Sequence, residues 1–340
     1  MYLSRNNGTT VTRARFLSSS ELTGLASPDE YVSEIRDAYR QIGEGGPADP
    51  RTQLYTEDRS GSMTTYIAIL PETSVMGGYV YSAGFGANDA WFMTPLFDAE
   101  TGEPLALVDG SYMNPFKTGA VGAAGSDALS REDASVLAII GTGKQAKGQL
   151  RAHVSVRDFE EIKVYSRTEK RRDEFTKWAS TELGRTVTPV RSSAAAVDEA
   201  DVIVTATTAE EPVFEFEDVS PGSHITAIGQ YTPGRRELDE DTVRHAKYVP
   251  DLRERAFQDA GSFLYALESG SITEDHVHAE LGEVLAGTAE GRSSDEEITI
   301  FDSGGTGIET VAAAYLLYRK AREEGKGTMI DFVPASEILP

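Results

Sequence analysis

The stretch VLAIIGTGKQAKG, residues 136–148, sets Gly141 and Gly143 directly after an apolar run and ahead of a helix-like segment. That order suits one task. A pyrophosphate can approach the backbone closely only where side chains are missing, and the first turn of a helix offers unpaired N–H groups with a partial positive charge. The third small residue of the spacing falls on Ala146, an accepted variant of the dinucleotide fingerprint. The next apolar run ends in Ser166, Arg167 and Thr168. About 20 residues beyond such glycines, an acid holds the ribose 2′-hydroxyl of NAD, whereas an arginine accommodates the 2′-phosphate of NADP. A guanidinium between two hydroxyls is a phosphate cradle, and a carboxylate there would repel phosphate. The expected cofactor is NADP(H).

A second stretch, AIGQYTPGRRELD at 227–239, carries Gln230 between an apolar strand and a Pro-Gly turn. It is either a chain reversal or the edge of an active site with the Gln230 amide pointing in. The elements around both stretches decide how they can meet. From Ser135 onward, apolar strands alternate with helices: VLAII, then KQAKGQLRAHVSVR, EIKVYSRT, EKRRDEFTKWASTEL, TVTPVR, AAAVDEA, DVIVTATT and HITAIGQY. This alternation predicts a parallel sheet with crossover helices. The first third reads differently. Ser27 is an N-cap candidate with Pro28 just inside, and Tyr31, Ile35 and Tyr39 fall on one face of the helix that follows. MTTYIAILP and GGYVYSAGFG are strand-like, and residues 91–110 read as a hairpin closed by an Asp/Gly turn. Residues 114–133 form a small-residue helix with glycines at close-packing positions. The remainder, from Asp241 to the apolar helix near 307–325, reads as helical. The fold class is therefore α/β: a Rossmann-type doubly wound parallel sheet plus an α+β substrate-binding and dimerisation domain.

Composition bounds the partners. The 340 residues make two domains the default. No run approaches the roughly 20 apolar residues of a membrane span, and the first residues lack the apolar core of a secretory signal. Cysteine is absent, which excludes disulfides and thiolate chemistry; a cytoplasmic protein is expected. Acids outnumber bases 55 to 32, for a net charge of −23. Such a field repels nucleic acid and anionic lipid, so neither is an expected partner. The acids are dispersed, and lysines number nine against 23 arginines. That pattern predicts a solvated surface adapted to high salt, where screening removes the self-repulsion. His224 lies on a strand and is read as locally satisfied, while His276 and His278 suit a surface; no cluster has metal-ligand spacing.

Taken in order, LALVDG, KTGAVGAAGSDALSRED, IIGTGKQAKGQLRAH, VYSRT, DVIVTATT, PGSHITAIGQYTPGRRELD and FDSGGTGIETVAAAYLLYRKA resemble the ornithine cyclodeaminase/μ-crystallin family. The likeness spans almost the whole chain. It implies a homodimer in which residues 126–307 form an NAD(P)-binding Rossmann domain inserted between 1–125 and 308–340. It also carries cofactor contacts onto Thr118, Gly141, Gly143, Lys144, Gln145, Ser166, Arg167, Thr168, Thr205, Ile228, Gly229, Arg235 and Ser303.

On the substrate side the chain departs from the cyclodeaminase pattern. Arg51 keeps the first carboxylate-binding cation; the lysine position falls on Tyr79, the second arginine becomes Lys117, and the proton-transferring aspartate becomes Gln230. An amide cannot pass protons near neutral pH, so deamination with cyclisation is disfavoured. Lys117, Gln230 and Tyr79 are the candidate catalytic residues, with Arg51, Tyr79 and Lys117 as candidate substrate contacts. The bland readings are a core Tyr79, a Lys117 that meets only phosphate, and a Gln230 that satisfies its own turn. The expected activity is NADPH-dependent oxidoreduction at a C–N bond of a small carboxylate-bearing substrate. A cyclodeaminase-type lyase using bound NAD and a non-catalytic NADPH-dependent binder stay open as alternatives.

Overall fold

The computed structural model describes residues 4–6, 9–55, 61–86 and 89–338. The chain opens with β1 (Ser4–Asn6), β2 (Thr9–Leu17), the short α1 (Ser19–Leu22) and α2 (Pro28–Gly43). Ser27 caps α2 through a capping box with Glu30, and Pro28 sits in the first turn, as the spacing predicts. Next come β3 (Thr52–Tyr55), β4 (Ser62–Leu70), β5 (Val75–Ala83), β6 (Ala90–Asp98) and β7 (Pro104–Asp109). They pair in the order β1-β2-β7-β6-β5-β4-β3, with β3 to β7 running antiparallel as a meander and β2 parallel to β7. The alternation of β4 shows what the sheet is for. Thr64, Tyr66, Ala68 and Leu70 are buried on one face, while Met63, Ile67 and Ile69 are exposed on the other.

Helix α3 (Asn114–Leu129) leads into the second sheet: β8 (Val136–Ile140), α4 (Lys144–Val156), β9 (Glu161–Tyr165), α5 (Glu169–Leu183), β10 (Thr188–Pro189), α6 (Ser193–Val197), β11 (Val202–Thr205) and β12 (His224–Ala227). The chain continues through α7 (Glu240–His245), β13 (Lys247–Pro250), α8 (Arg253–Asp259), α9 (Gly261–Glu268), α10 (Leu281–Leu285) and β14 (Thr299–Asp302). It finishes with α11 (Gly307–Glu323) and β15 (Thr328–Phe332). The second sheet is parallel, in the order β10-β9-β8-β11-β12-β14-β13. The order reverses between β8 and β11, which makes this a doubly wound α/β sheet. Leu137, Ile139, Val202 and Val204 feed the core on one face, and Ala138, Ile140, Ile203 and Ile225 the core on the other.

Two expectations change. The stretch after Asp241 is not all helical, because β13 and β14 are buried strands of the parallel sheet and β15 pairs antiparallel with β2 in the first. Four-residue runs such as KYVP and TIFD are far shorter than the window of roughly 11 residues a helix test needs, so periodicity cannot assign them. The run at 186–191 supplies only the two-residue β10. The glycines of α3 are required by its packing on α4: a Cβ on Gly119 would stand 2.2 Å from the Gly148 carbonyl oxygen, and one on Gly148 2.0 Å from that of Pro115. No helix among the described residues is long and apolar enough to cross a membrane.

Candidate active site

A cleft of about 680 Å³ opens at the carboxyl ends of β8, β9 and β11, at the point where the strand order reverses. Gly141, Gly143, Ser166, Arg167 and Thr168 line it, as do Arg171 and the segment from Ala206 to Val213. Gly141 has φ +122°, and a Cβ there would meet the Ala206 carbonyl at 2.3 Å, so only glycine makes this turn. Gly143 has open space where a Cβ would point, and no side chain caps the start of α4.

The other expected cofactor residues fall in two groups. Lys144 and Gln145 stand in the first turn of α4, and the buried Gln145 Oε1 has no protein partner. Ser303 follows β14, bonds its N–H to the Ala227 carbonyl, and leaves its buried Oγ unpartnered. Two buried polar atoms without partners, an amide oxygen at the start of α4 and a hydroxyl after β14, fit a dinucleotide. Thr205 is different. It is fully buried and donates to Glu237 at 2.9 Å, while Thr207 N–H and Gly229 N–H donate to the same carboxylate at 2.7 Å each. Burial pushes the Glu237 carboxyl up, against those hydrogen bonds. Thr205 through its hydroxyl and Gly229 through its N–H are thus tied to Glu237, and neither lines the cleft itself. Ile228 is buried beside them, the Thr118 carbonyl accepts from Gln149, and exposed Arg235 pairs with Glu210 on the rim at 3.2 Å.

The expected substrate residues gather at the inner face of the first sheet. Arg51 is buried just ahead of β3. Its Nη2 donates to the Gly304 and Gly305 carbonyls, the latter at 3.2 Å, and its Nε lies 3.1 Å from Asp259 without an aligned hydrogen bond. Tyr231 stacks 4.8 Å from its guanidinium carbon. The Arg51 Nη1 bonds no other described residue and remains available to an anion. Lys117 on α3 is buried and meets Glu309 of α11 at 3.2 Å. Burial pulls the Lys117 ammonium below its usual range, and Glu309 offsets part of that. Tyr79 lies in the core with its hydroxyl committed to the Gly110 carbonyl at 3.1 Å, and burial lifts its pKa well above normal. It offers the site a ring, not a proton. Gln230 donates its amide to the Ala209 carbonyl at 2.7 Å, so the group that marks this turn ties it to the segment after β11.

Sequence reasoning missed three groups. Glu309 accepts from Thr306 N–H at 2.6 Å and from the Tyr39 hydroxyl at 3.0 Å as well as from Lys117. Its signal was present in the capping-box spacing of Thr306 and Glu309. Glu237 lies in the turn already quoted, where it reads as one acid among many. The third is a buried ion cluster under the turn at Gly304 and Gly305. Asp251 accepts from Gly304 N–H at 2.9 Å and from Arg255 at 2.7 Å, and Arg255 also holds the Asp302 carbonyl at 2.6 Å. Burial raises the carboxyls of both Asp259 and Asp302 in this cluster.

Comparison with known proteins agrees with this geometry. The sequence profile of the ornithine cyclodeaminase/mu-crystallin family matches residues 13–325. A Delta(1)-pyrroline-2-carboxylate reductase of Bacillus cereus is 40% identical over 238 residues, 70% of this chain and 73% of that one. The Delta(1)-pyrroline-2-carboxylate reductase of Thermococcus litoralis, solved with NADH and L-proline, superimposes with a TM-score of 0.87 at 34% identity, covering 92% of this chain and 99% of that one. An archaeal alanine dehydrogenase dimer with bound NAD gives a TM-score of 0.87 at 34% identity, covering 94% of this chain and 100% of that one.

Proposed function

The chain belongs to the ornithine cyclodeaminase/mu-crystallin family, and from that premise we propose that it reduces the C=N bond of a small carboxylate-bearing imine with NADPH, or runs the same step as an amino-acid dehydrogenase. It is an NAD(P)-dependent oxidoreductase acting on CH–NH or CH–NH2 groups. Residues 126–307 serve as the cofactor-binding unit, and 1–125 with 308–340 as the substrate-binding and dimerisation unit. The cofactor lies along the glycine turn, with Gln145 and Ser303 as acceptors and Ser166, Arg167 and Thr168 at the adenosine end. When bound, it supplies hydride to the substrate carbon. Arg51 holds the carboxylate through Nη1, since its other nitrogens already face Asp259 and the carbonyls of Gly304 and Gly305.

Gln230 carries this reading. Its amide is spent on Ala209, so position 230 offers no group to run the repeated proton transfers of a cyclodeaminase, and Glu237 of the same turn is held by Thr205, Thr207 and Gly229. Hydride transfer asks mainly for positioning, and a carboxylate anchor supplies it. NADPH over NADH is supported by the acid-free end of β9 and by Arg167 and Arg171 lining the same cleft. The decisive experiment follows NADPH and NADH absorbance with cyclic imines, and with 2-oxo acids plus amines, at high salt. Loss of NADPH at several times the NADH rate is expected, with Arg167→Ala narrowing the gap. Oxidation of NADH alone sinks the cofactor assignment, and ammonia release from ornithine without net cofactor change sinks the reductase.

A further inference from the structure

The inner face of β4 presents Tyr66, which is 6% exposed and has two cations near its ring. The Arg51 guanidinium carbon lies 5.9 Å from its ring centre and the Lys117 Nζ 5.8 Å. Its hydroxyl bonds to no other described residue and is not sealed from solvent. The same hydroxyl borders an open space above Gly305. A Cβ built on Gly305, whose φ is +89°, would stand 3.9 Å from the Tyr66 hydroxyl and 3.6 Å from Glu309 Oε1, with nothing else within 4 Å. The carbonyl of Gly305 is one that Arg51 holds. A ligand carboxylate on Arg51 therefore brings the rest of a small molecule to the Tyr66 hydroxyl.

Three candidate polar groups are already committed. Tyr79 donates to Gly110, Lys117 to Glu309 and Gln230 to Ala209. We propose that Tyr66 is the proton donor of the reaction: its O–H protonates the imine nitrogen while the imine carbon takes hydride from the reduced nicotinamide cofactor. This rests on the C–N reductase reading above. The balance is complete. The C=N π electrons become the new N–H bond, the hydride pair becomes the new C–H bond, and the cofactor leaves oxidised. The tyrosinate left behind is stabilised by the Arg51 charge, while Lys117 offsets Glu309, until solvent returns the proton. Burial keeps the Tyr66 hydroxyl protonated well above neutral pH, the state a donor needs, and Arg51 acts the other way.

A substrate pair separates this role from others. A cyclic imine carboxylate needs a proton on nitrogen, whereas its N-methylated iminium counterpart carries a permanent charge and needs none. In the full-length protein, Tyr66→Phe should lose about 100-fold in kcat on the imine, within the range general acids supply, and stay within about threefold of wild type on the iminium. Calorimetric affinity of the cofactor-loaded variant for a non-reacting cyclic carboxylate should be unchanged. Equal losses on both substrates, or weakened binding, would make Tyr66 a positioning residue and overturn the proposal. No loss on either would place the donor elsewhere. A wild-type protein that reduces neither compound removes the reductase reading itself, a result distinct from both.

Discussion

Lys117→Met leaves Glu309 buried without the ammonium group it faces. Breaking one side of a buried pair costs about 3 kcal/mol, measurable by denaturant titration, and Lys117→Met with Glu309→Gln should recover part of that loss. Gln230→Ala should behave differently. Its bond to Ala209 is half-buried, so about 1 kcal/mol is expected, with kcat within about threefold of wild type. A Gln230→Ala variant that folds normally but is inactive would restore the amide to the chemistry. These contrasts show what single residues reveal in sequence. That Gly141, Gly143 and Ser166–Thr168 share one cleft was legible because the cues are local: a tight turn, a helix start, a strand end. Asp251, Arg255, Asp259 and Asp302 were not: the first three lie four apart like any charged helix face, and Asp302 and Arg51 join them only in the fold. In a sequence with 26% charged residues, a buried acid looks like a surface one.

Helix α3 and strand β12 are joined by a chain of buried polar groups that no sequence pattern announces. His153 of α4 bonds the Gln149 carbonyl and Ser126, Ser126 meets Thr226, and His224 lies between Thr226 and Thr299, each at 2.8–2.9 Å. Burial lowers His153 from 6.5 to about 4 and drives His224 well below its usual value. The unfolded chain therefore binds more protons than the folded one between those limits. Stability is complete above about pH 6.5 and falls as pH drops toward 4, by about 3 kcal/mol for His153 alone. His153→Gln should flatten the loss in thermal unfolding between pH 7 and pH 5; an unchanged slope would exclude the histidine as its source. Elements themselves were readable where they were long. The capped α2 and the β6–β7 hairpin stand as expected, while β13 and β14, four residues each, needed the finished sheet to define them.

For the whole molecule, charge and one apolar face decide the behaviour. Arg40 alone faces Asp37, Glu44 and Glu72 at 2.6–2.7 Å, an arrangement in which acids outnumber their partners. With a net charge of −23, screening should help: melting temperature is expected to climb steadily from 0.1 M to roughly 2 M KCl, in contrast to a protein held by paired surface charges. A falling melting temperature would argue against salt adaptation. The outer face of the first sheet exposes Met63, Ile67, Trp91 and Met93 together, 53–63% each. We propose it as the homodimer face, since exposed apolar patches of this kind mark interaction sites. Ile67→Glu with Met93→Glu should shift sedimentation to the monomer, and an unchanged dimer would place the contact elsewhere.

The pairing of β15 with β2 has a consequence for synthesis. Arg15 reaches the Lys326 carbonyl across 311 positions, and Phe16 lies beside Thr328. Strand β2 therefore waits, one edge open, until almost all of the polypeptide has left the ribosome. The parallel sheet, whose strands all lie between Val136 and Asp302, has every partner in hand earlier. A released chain truncated after Asp302 should resist protease in its middle and be cut near its start, because domains fold as units.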